Sequence, residues 1–262
     1  MSVTAPLGFR AAGVAARLKQ SGQPDVAVVL NDGPSRAAAA VFTSNRVQAA
    51  PVTWSRQVVS GGRVRAVVLN SGGANACTGP LGFQDTHATA EHLAAAIDAR
   101  GEDASAGEIA VCSTGLIGER LPMDKLLPGV SAAVAEASRA GGLAAADAIR
   151  TTDTVVKIAF RRPDGYSIGG MAKGAGMLAP GLATMLCVLT TDAVFAPDRL
   201  NVAINGVWVC RHGAPGDERA KVDLRPKDVT ITVDLSAGPH SAIILTTDLT
   251  TAYVHENSAY ST

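Results

Sequence analysis

The chain has 262 residues, 47% hydrophobic and 18% charged, enough apolar material for one large domain or two small ones. Lys+Arg and Asp+Glu balance at 23 each and aromatics make up only 4%, which argues against nucleic acid or an anionic membrane as a partner. No stretch reaches about eighteen consecutive apolar residues, and the N-terminus lacks a basic region followed by an apolar one, so neither a membrane span nor a secretory leader is expected.

Cys77, Cys112, Cys187 and Cys210 are scattered, with no C-x-x-C pair and no histidine at ligand spacing. They read as free thiols of a cytoplasmic protein, with Cys112 and Cys187 as small buried hydrophobes, and no metal is expected.

Residues 1–24 are rich in Gly and Ala, with turn signals at Gly8, Gly22 and Pro24. Asp25–Leu30 is a continuous apolar run, Asn31–Pro34 a turn and Ala37–Phe42 a second run, a pattern that predicts a hairpin. Arg65–Asn70 predicts a strand, and the Gly-rich stretch Ser71–Gly79 an irregular loop without the Gly-Lys-Ser/Thr of a phosphate loop. Asp85 is placed to cap a helix over Thr86–Ala99, with Ala90, Leu93, Ala94 and Ile97 on one face.

Glu108–Cys112 predicts a strand that delivers Ser113-Thr114-Gly115. Two helices are expected between Pro122 and Ile149, interrupted at Pro128 and Gly141-Gly142. Thr151–Thr154 reads as a turn, Val155–Phe160 and Tyr166–Met171 as strands joined at Asp164-Gly165, and Met185–Leu189 as a buried strand. Val202–Cys210 holds a tight turn, Asp228–Leu235 alternates as a half-buried strand does, Ala242–Leu245 is the last apolar run, and the tail from Thr250 suits a short helix.

The stretch Gly169–Asp192 concentrates the chemistry. Gly174-x-Gly176-x-x-Ala179 matches a dinucleotide fingerprint, but Pro180-Gly181 would stop the helix that motif must open. A loop feeding a core strand is the plain reading. The sharper one is a scissile Ala183–Thr184 bond: cutting it leaves a threonine with a free α-amine, of ordinary pKa about 8, beside its own hydroxyl. Ser113-Thr114-Gly115, a strand ending in a hydroxyl and a flexible backbone N–H, reads either as a locally bonded turn or as an oxyanion site.

Lys173-Gly-Ala-Gly-Met-Leu-Ala-Pro-Gly-Leu-Ala-Thr184, followed by Leu189-Thr-Thr-Asp192, closely resembles the self-cleaving junction of the ornithine acetyltransferase/glutamate N-acetyltransferase family of arginine biosynthesis. Gly8–Gly13, Asn70–Gly79, Ser113-Thr-Gly115 with Ile117-Gly118, Thr151-Thr-Asp153, Leu245–Asp248, Tyr253-Val254 and Glu256–Tyr260 agree with it.

The resemblance implies an α+β fold of mixed and antiparallel sheets flanked by helices. It implies fragments 1–183 and 184–262 joined as a hetero-oligomer, cleaved between Ala183 and Thr184. It further implies acetyl transfer from N-acetylornithine to glutamate through Thr184, with Thr114 and Gly115 as oxyanion donors. Thr151, Lys173, Thr184, Asn257 and Thr262 match substrate-binding positions, and a lysine suits the α-carboxylate of an amino acid. No cofactor is implied, with acetyl-CoA a candidate co-substrate. The departure lies between Asp192 and Pro197, where about 130–140 residues usual in the family are missing, judged from overall length. Two alternatives follow, an inactive remnant of this family and an N-terminal-nucleophile aminopeptidase.

Overall fold

The computed structural model describes residues 2–162, 165–174, 184–194, 201–212, 214–215, 222, 230–234 and 243–245. A four-stranded sheet forms its base, in the order β1 (Phe9–Val14), β2 (Val26–Asn31), β3 (Ala66–Gly73), β4 (Ile109–Leu116). The first two pairings are antiparallel and β3/β4 is parallel. Both faces of this sheet are covered, which explains the unbroken apolar runs along β2, β3 and β4.

Side chains divide between the faces with a period of two. Val26, Val28, Leu30, Ala66, Val68, Ile109 and Val111 pack under helices α2 (Gly79–Asp98) and α3 (Met123–Glu136). Ala27, Val29 and Leu69 pack the other way, against Ala145, Ala146 and Ala148 of α4 (Gly142–Ala148). That second core is shared with Met171 of a three-stranded antiparallel sheet, β5 (Lys157–Arg161), β6 (Ile168–Lys173), β7 (Leu186–Thr191).

β7 joins two cores. Leu186 and Val188 pack with Met171, while Cys187 and Leu189, on the opposite face, pack with Ile204 and Val209 of a third sheet. That sheet runs β10 (Ala214–Pro215), β9 (Val207–Arg211), β8 (Asn201–Ile204), β11 (Thr230–Asp234), β12 (Ile243–Leu245). The β8–β9 turn is Asn205-Gly206, with φ of 48° and 79°, the positive values that a two-residue hairpin demands. Among the described residues no helix is long and apolar enough to cross a membrane.

Most of the expected strands and helices are present, and the α+β architecture holds. The hairpin between Asp25–Leu30 and Ala37–Phe42 does not form. β1 and β3 occupy both edges of β2, leaving residues 37–42 a single bridge, Ala37 to Arg63. β1 itself lies in what the sequence presents as Gly/Ala-rich turns, and helix α1 (Ala50–Ser60) falls where no element is expected. β3 runs on through Ser71-Gly72-Gly73 because β4 stays paired with it to that point. α2 starts at Gly79, with Pro80 in its first turn, where a fixed φ costs nothing. Asp85 is therefore inside the helix, gripped by Arg120 at 2.8 and 2.6 Å, and caps nothing. The predicted tail helix lies outside the described residues.

Candidate active site

Three elements end at one place. β4 carries Thr114 at the end of its buried stretch, 2% exposed, and the next residue, Gly115, is already open to solvent. β6 ends in Lys173, also 2% exposed. β7 is preceded by Thr184, two residues before Leu186 and half-buried. The Lys173 ammonium ties them together, donating to Thr114 Oγ1 at 3.1 Å and to the Thr184 carbonyl at 3.0 Å. One cation thus spans both threonines.

Sheet pairing fixes this placement. In the β6/β7 ladder Lys173 is opposite Leu186, so the intervening chain must return to the point where it left. In the parallel β3/β4 ladder Ser71 pairs with Thr114 and Gly72 with Gly115. Gly115 has φ of 129°, and a Cβ there would meet the Gly72 carbonyl carbon at 2.5 Å. Only glycine fits that approach. Just beyond, the Asn75 side chain donates to the Gly82 carbonyl and to Thr86, at 2.8 and 2.9 Å, pinning the end of β3 to α2.

Burial makes Lys173 an unusual cation. Desolvation pushes its pKa down to about 8, while Asp153 pulls it up and Lys157 and Lys19 press it down. At neutral pH it is mainly protonated and holds three donors. Its bonds to Thr114 and Thr184 use two of these, and among the described residues none takes the third. Because Thr114 Oγ1 accepts from Lys173, its own proton stays available for donation.

Thr151 is exposed, on the loop after α4. That loop is held by Arg150, whose Nη1 donates to the carbonyls of Asp153 and Thr154 at 3.0 and 3.2 Å. Asp153 in turn accepts the Gly174 N–H, so the loop carrying Thr151 is anchored at the end of β6. Thr151 itself is not brought onto Lys173 by any contact described. Ala183, Asn257 and Thr262 lie outside the described residues.

Asp153 and Lys157 are the buried groups that sequence reasoning passed over as a turn and an ordinary strand. In β5 Lys157 is buried and its neighbour Ile158 is 38% exposed, the reverse of what each side chain prefers, which hydropathy along the strand could not reveal. Burial pushes the Cys112 and Cys187 thiols up to about 12, which makes them inert at neutral pH.

An apolar cavity of about 350 Å³ opens between the first sheet, β7 and β8, lined by Val67, Ala110, Cys112, Leu189, Val202 and Ile204 among others. It reaches Ala193 on one side of the place where the sequence skips residues and Val202 on the other.

Comparison with known proteins agrees on one family. The ArgJ family model matches residues 10–201 and again 193–262, two blocks that meet at the same place in the chain. The arginine biosynthesis bifunctional protein ArgJ of Thermobifida fusca is 51% identical in an alignment of 388 residues covering 100% of both chains. Its namesake from Mycobacterium tuberculosis strain H37Rv is 42% identical, over 99% of this chain and 96% of its own. Since this chain has 262 residues, these relatives carry a long stretch without counterpart here. The crystal structure of ornithine acetyltransferase from Mycobacterium tuberculosis, complexed with ornithine, superposes with a TM-score of 0.67 at 60% identity, covering 71% of this chain and 96% of that one. The ArgJ structure from Bacillus halodurans gives 0.55 at 30% identity, covering 73% and 88%.

Proposed function

This chain belongs to the ArgJ family, and we propose that it transfers an acetyl group from N-acetylornithine to glutamate through Thr184, in the arginine biosynthesis of a cytoplasm. The observation that supports the reading is the Lys173 bridge, one buried ammonium bonded both to the Thr114 hydroxyl and to the Thr184 carbonyl.

The chemistry proceeds in two stages. In the first, the Thr184 hydroxyl attacks the Ala183 carbonyl, its proton passes to the nitrogen as the C–N bond breaks and frees the α-amine, and water then cleaves the resulting ester, leaving the Ala183 carboxylate and restoring the hydroxyl. In the second, that amine takes the hydroxyl proton as Thr184 Oγ1 attacks the acetyl carbonyl of the donor. Thr114 O–H and Gly115 N–H stabilise the oxyanion, and ornithine leaves as its nitrogen takes that proton back from the Thr184 amine. The amine of glutamate then attacks the acetyl-threonine, restoring the hydroxyl. The third donor of Lys173 takes the α-carboxylate of either substrate, with Thr151, Asn257 and Thr262 completing the pocket. Acetyl-CoA is a second candidate donor for the same acetyl-threonine.

Cleavage divides the protein into 1–183 and 184–262. β6 and β7 flank the cut and remain paired along six residue pairs from Ile168/Thr191 to Lys173/Leu186, which supports a stable association of the two fragments. Intact-mass measurement of the purified protein tests the reading: two species dividing between Ala183 and Thr184 are expected, and a single uncut chain without acetyl transfer contradicts it.

The pH dependence follows from the two amines. Transfer needs the Thr184 amine neutral, so kcat falls as pH drops below that amine's ordinary pKa of about 8. Carboxylate binding needs Lys173 charged, so KM for both amino acids rises about tenfold per pH unit above about 8. Steady-state kinetics between pH 6 and about 10 separates the two limbs.

The cavity favours a second reading, an inactive remnant. Apolar faces of β4, β7 and β8 meet an opening at the place where relatives carry further chain, and unfilled apolar space forfeits packing energy. An uncleaved chain that turns over no substrate is its signature. The aminopeptidase alternative is disfavoured by Lys173, whose cation suits a free carboxylate.

A further inference from the structure

A carboxylate buried to 7% exposure must be matched by donors, and Asp153 has two kinds. The Gly174 N–H reaches both of its oxygens, at 3.0 and 3.1 Å, and the Lys157 ammonium bonds Oδ1. Gly174 directly follows Lys173. The carboxylate therefore clamps the backbone where β6 gives way to the stretch that ends at Thr184. The acetyl-transfer chemistry described above assigns Asp153 no part.

Charge adds a second argument. Lys173 and Lys157 are 2% and 9% exposed, two ammonium groups buried around one carboxylate. The third cation facing this cluster is Lys19, from the β1–β2 connection, which itself feels Asp25, Asp147 and Arg150. Among the described residues Asp153 is the one acidic group acting on Lys173. Lys157 holds the direct ion pair, so Lys173 feels Asp153 only through space, and its own hydrogen bonds stay committed to Thr114 and Thr184. A buried cation pressed by two like charges would otherwise give up its proton or leave the site.

Building on the acetyl-transfer reading, we propose that Asp153 is the positioning residue of this site: gripping the Gly174 amide and neutralising Lys157, it keeps the Lys173 ammonium across Thr114 and Thr184. It touches no substrate and acts through Lys173.

Two variants of the full chain test this with opposite signs. Asp153→Asn keeps an oxygen for the Gly174 N–H and removes the charge. Lys157→Met removes the competing cation and leaves Asp153 free to act on Lys173. NMR titration of lysine labelled with carbon-13 at Cε, with the Lys173 signal identified by its loss in Lys173→Arg, reads the effect without any activity. The Lys173 midpoint is expected to move down by about one pH unit in Asp153→Asn and up in Lys157→Met, with the basic limb of KM moving alongside. Asp153→Asn should also lower kcat/KM at least about tenfold. A Lys173 midpoint unchanged in both variants, or moved the same way in both, overturns the proposal. If Asp153→Asn does not fold alone, Lys157→Met and the double variant Asp153→Asn/Lys157→Met, which removes the buried pair together, decide: a Lys173 midpoint lower in the double variant than in Lys157→Met supports the proposal and an equal one overturns it. If the wild-type protein neither cleaves nor transfers acetyl, the functional reading fails, and the titration still decides whether Asp153 governs Lys173.

Discussion

Replacing Thr184 with alanine is expected to leave one uncut chain of 26.6 kDa and to abolish acetyl transfer. The hydroxyl serves twice, first on the Ala183 carbonyl and then on the acetyl group, so a single oxygen atom controls both events. Removing the nucleophile of a covalent mechanism costs on the order of 10⁴–10⁶ in rate, because positioned donors cannot substitute for a missing bond-forming atom. The Thr184 carbonyl, by contrast, belongs to the backbone, and its bond from Lys173 survives the substitution. The loss should therefore be chemical, with folding intact: far-UV circular dichroism should match that of wild type, and the uncut variant should unfold at or above the midpoint of the two-fragment wild type. Thr184→Ser, which keeps the hydroxyl and drops a methyl, should retain both reactions at reduced rate. Intact mass and formation of N-acetylglutamate from N-acetylornithine check all of this, and cleavage at the same bond in Thr184→Ala would overturn the assignment.

Local pattern and long-range geometry were unequally legible in the sequence. β2, β3, β4 and β7 announced themselves because buried strands leave apolar runs, and α2 because Ala90, Leu93, Ala94 and Ile97 recur at helical spacing. Pairing was harder. Ala37–Phe42 looks as strand-like as its neighbours, and only the competition of β1 and β3 for the edges of β2 excludes it. β1 was hidden by its own small residues, Ala11, Ala12 and Gly13, which serve close packing against α4 and α3 and carry no β signal.

At the site, Thr114, Gly115, Lys173 and Thr184 were nameable because they sit in long motifs, and resemblance supplied their roles. Residue spacing alone could not show that one ammonium joins residues 59 and 11 positions away. Asp153 escaped notice because its bonds are to a backbone amide and to a lysine within an apolar strand. A turn motif on its own does not disclose such partners.

Lys173→Met should be the most informative change after Thr184→Ala, because activity and stability should move apart. Methionine matches the length of the lysine stem and suits a site only 2% exposed. It removes the charge that burial disfavours, so the variant should unfold at a temperature equal to or above that of wild type. Activity should fall by about 10²–10³, the usual cost of one preorganised donor, since Thr114 loses its partner and the substrate carboxylate its cation.

The pH dependence of stability provides an independent check on the same group. In the wild-type protein Lys173 releases its proton near 8, well below the value of about 10.4 in an unfolded chain. Between those values the unfolded state binds more protons, so this residue makes stability rise with pH across that window and costs stability below it. In Lys173→Met that contribution disappears, and the difference between the two unfolding curves should be largest at neutral pH and level off to a pH-independent remainder above about 10.4. Equal stability differences at every pH would mean that the ammonium is not buried as described, and the bridge between Thr114 and Thr184 would lose its basis.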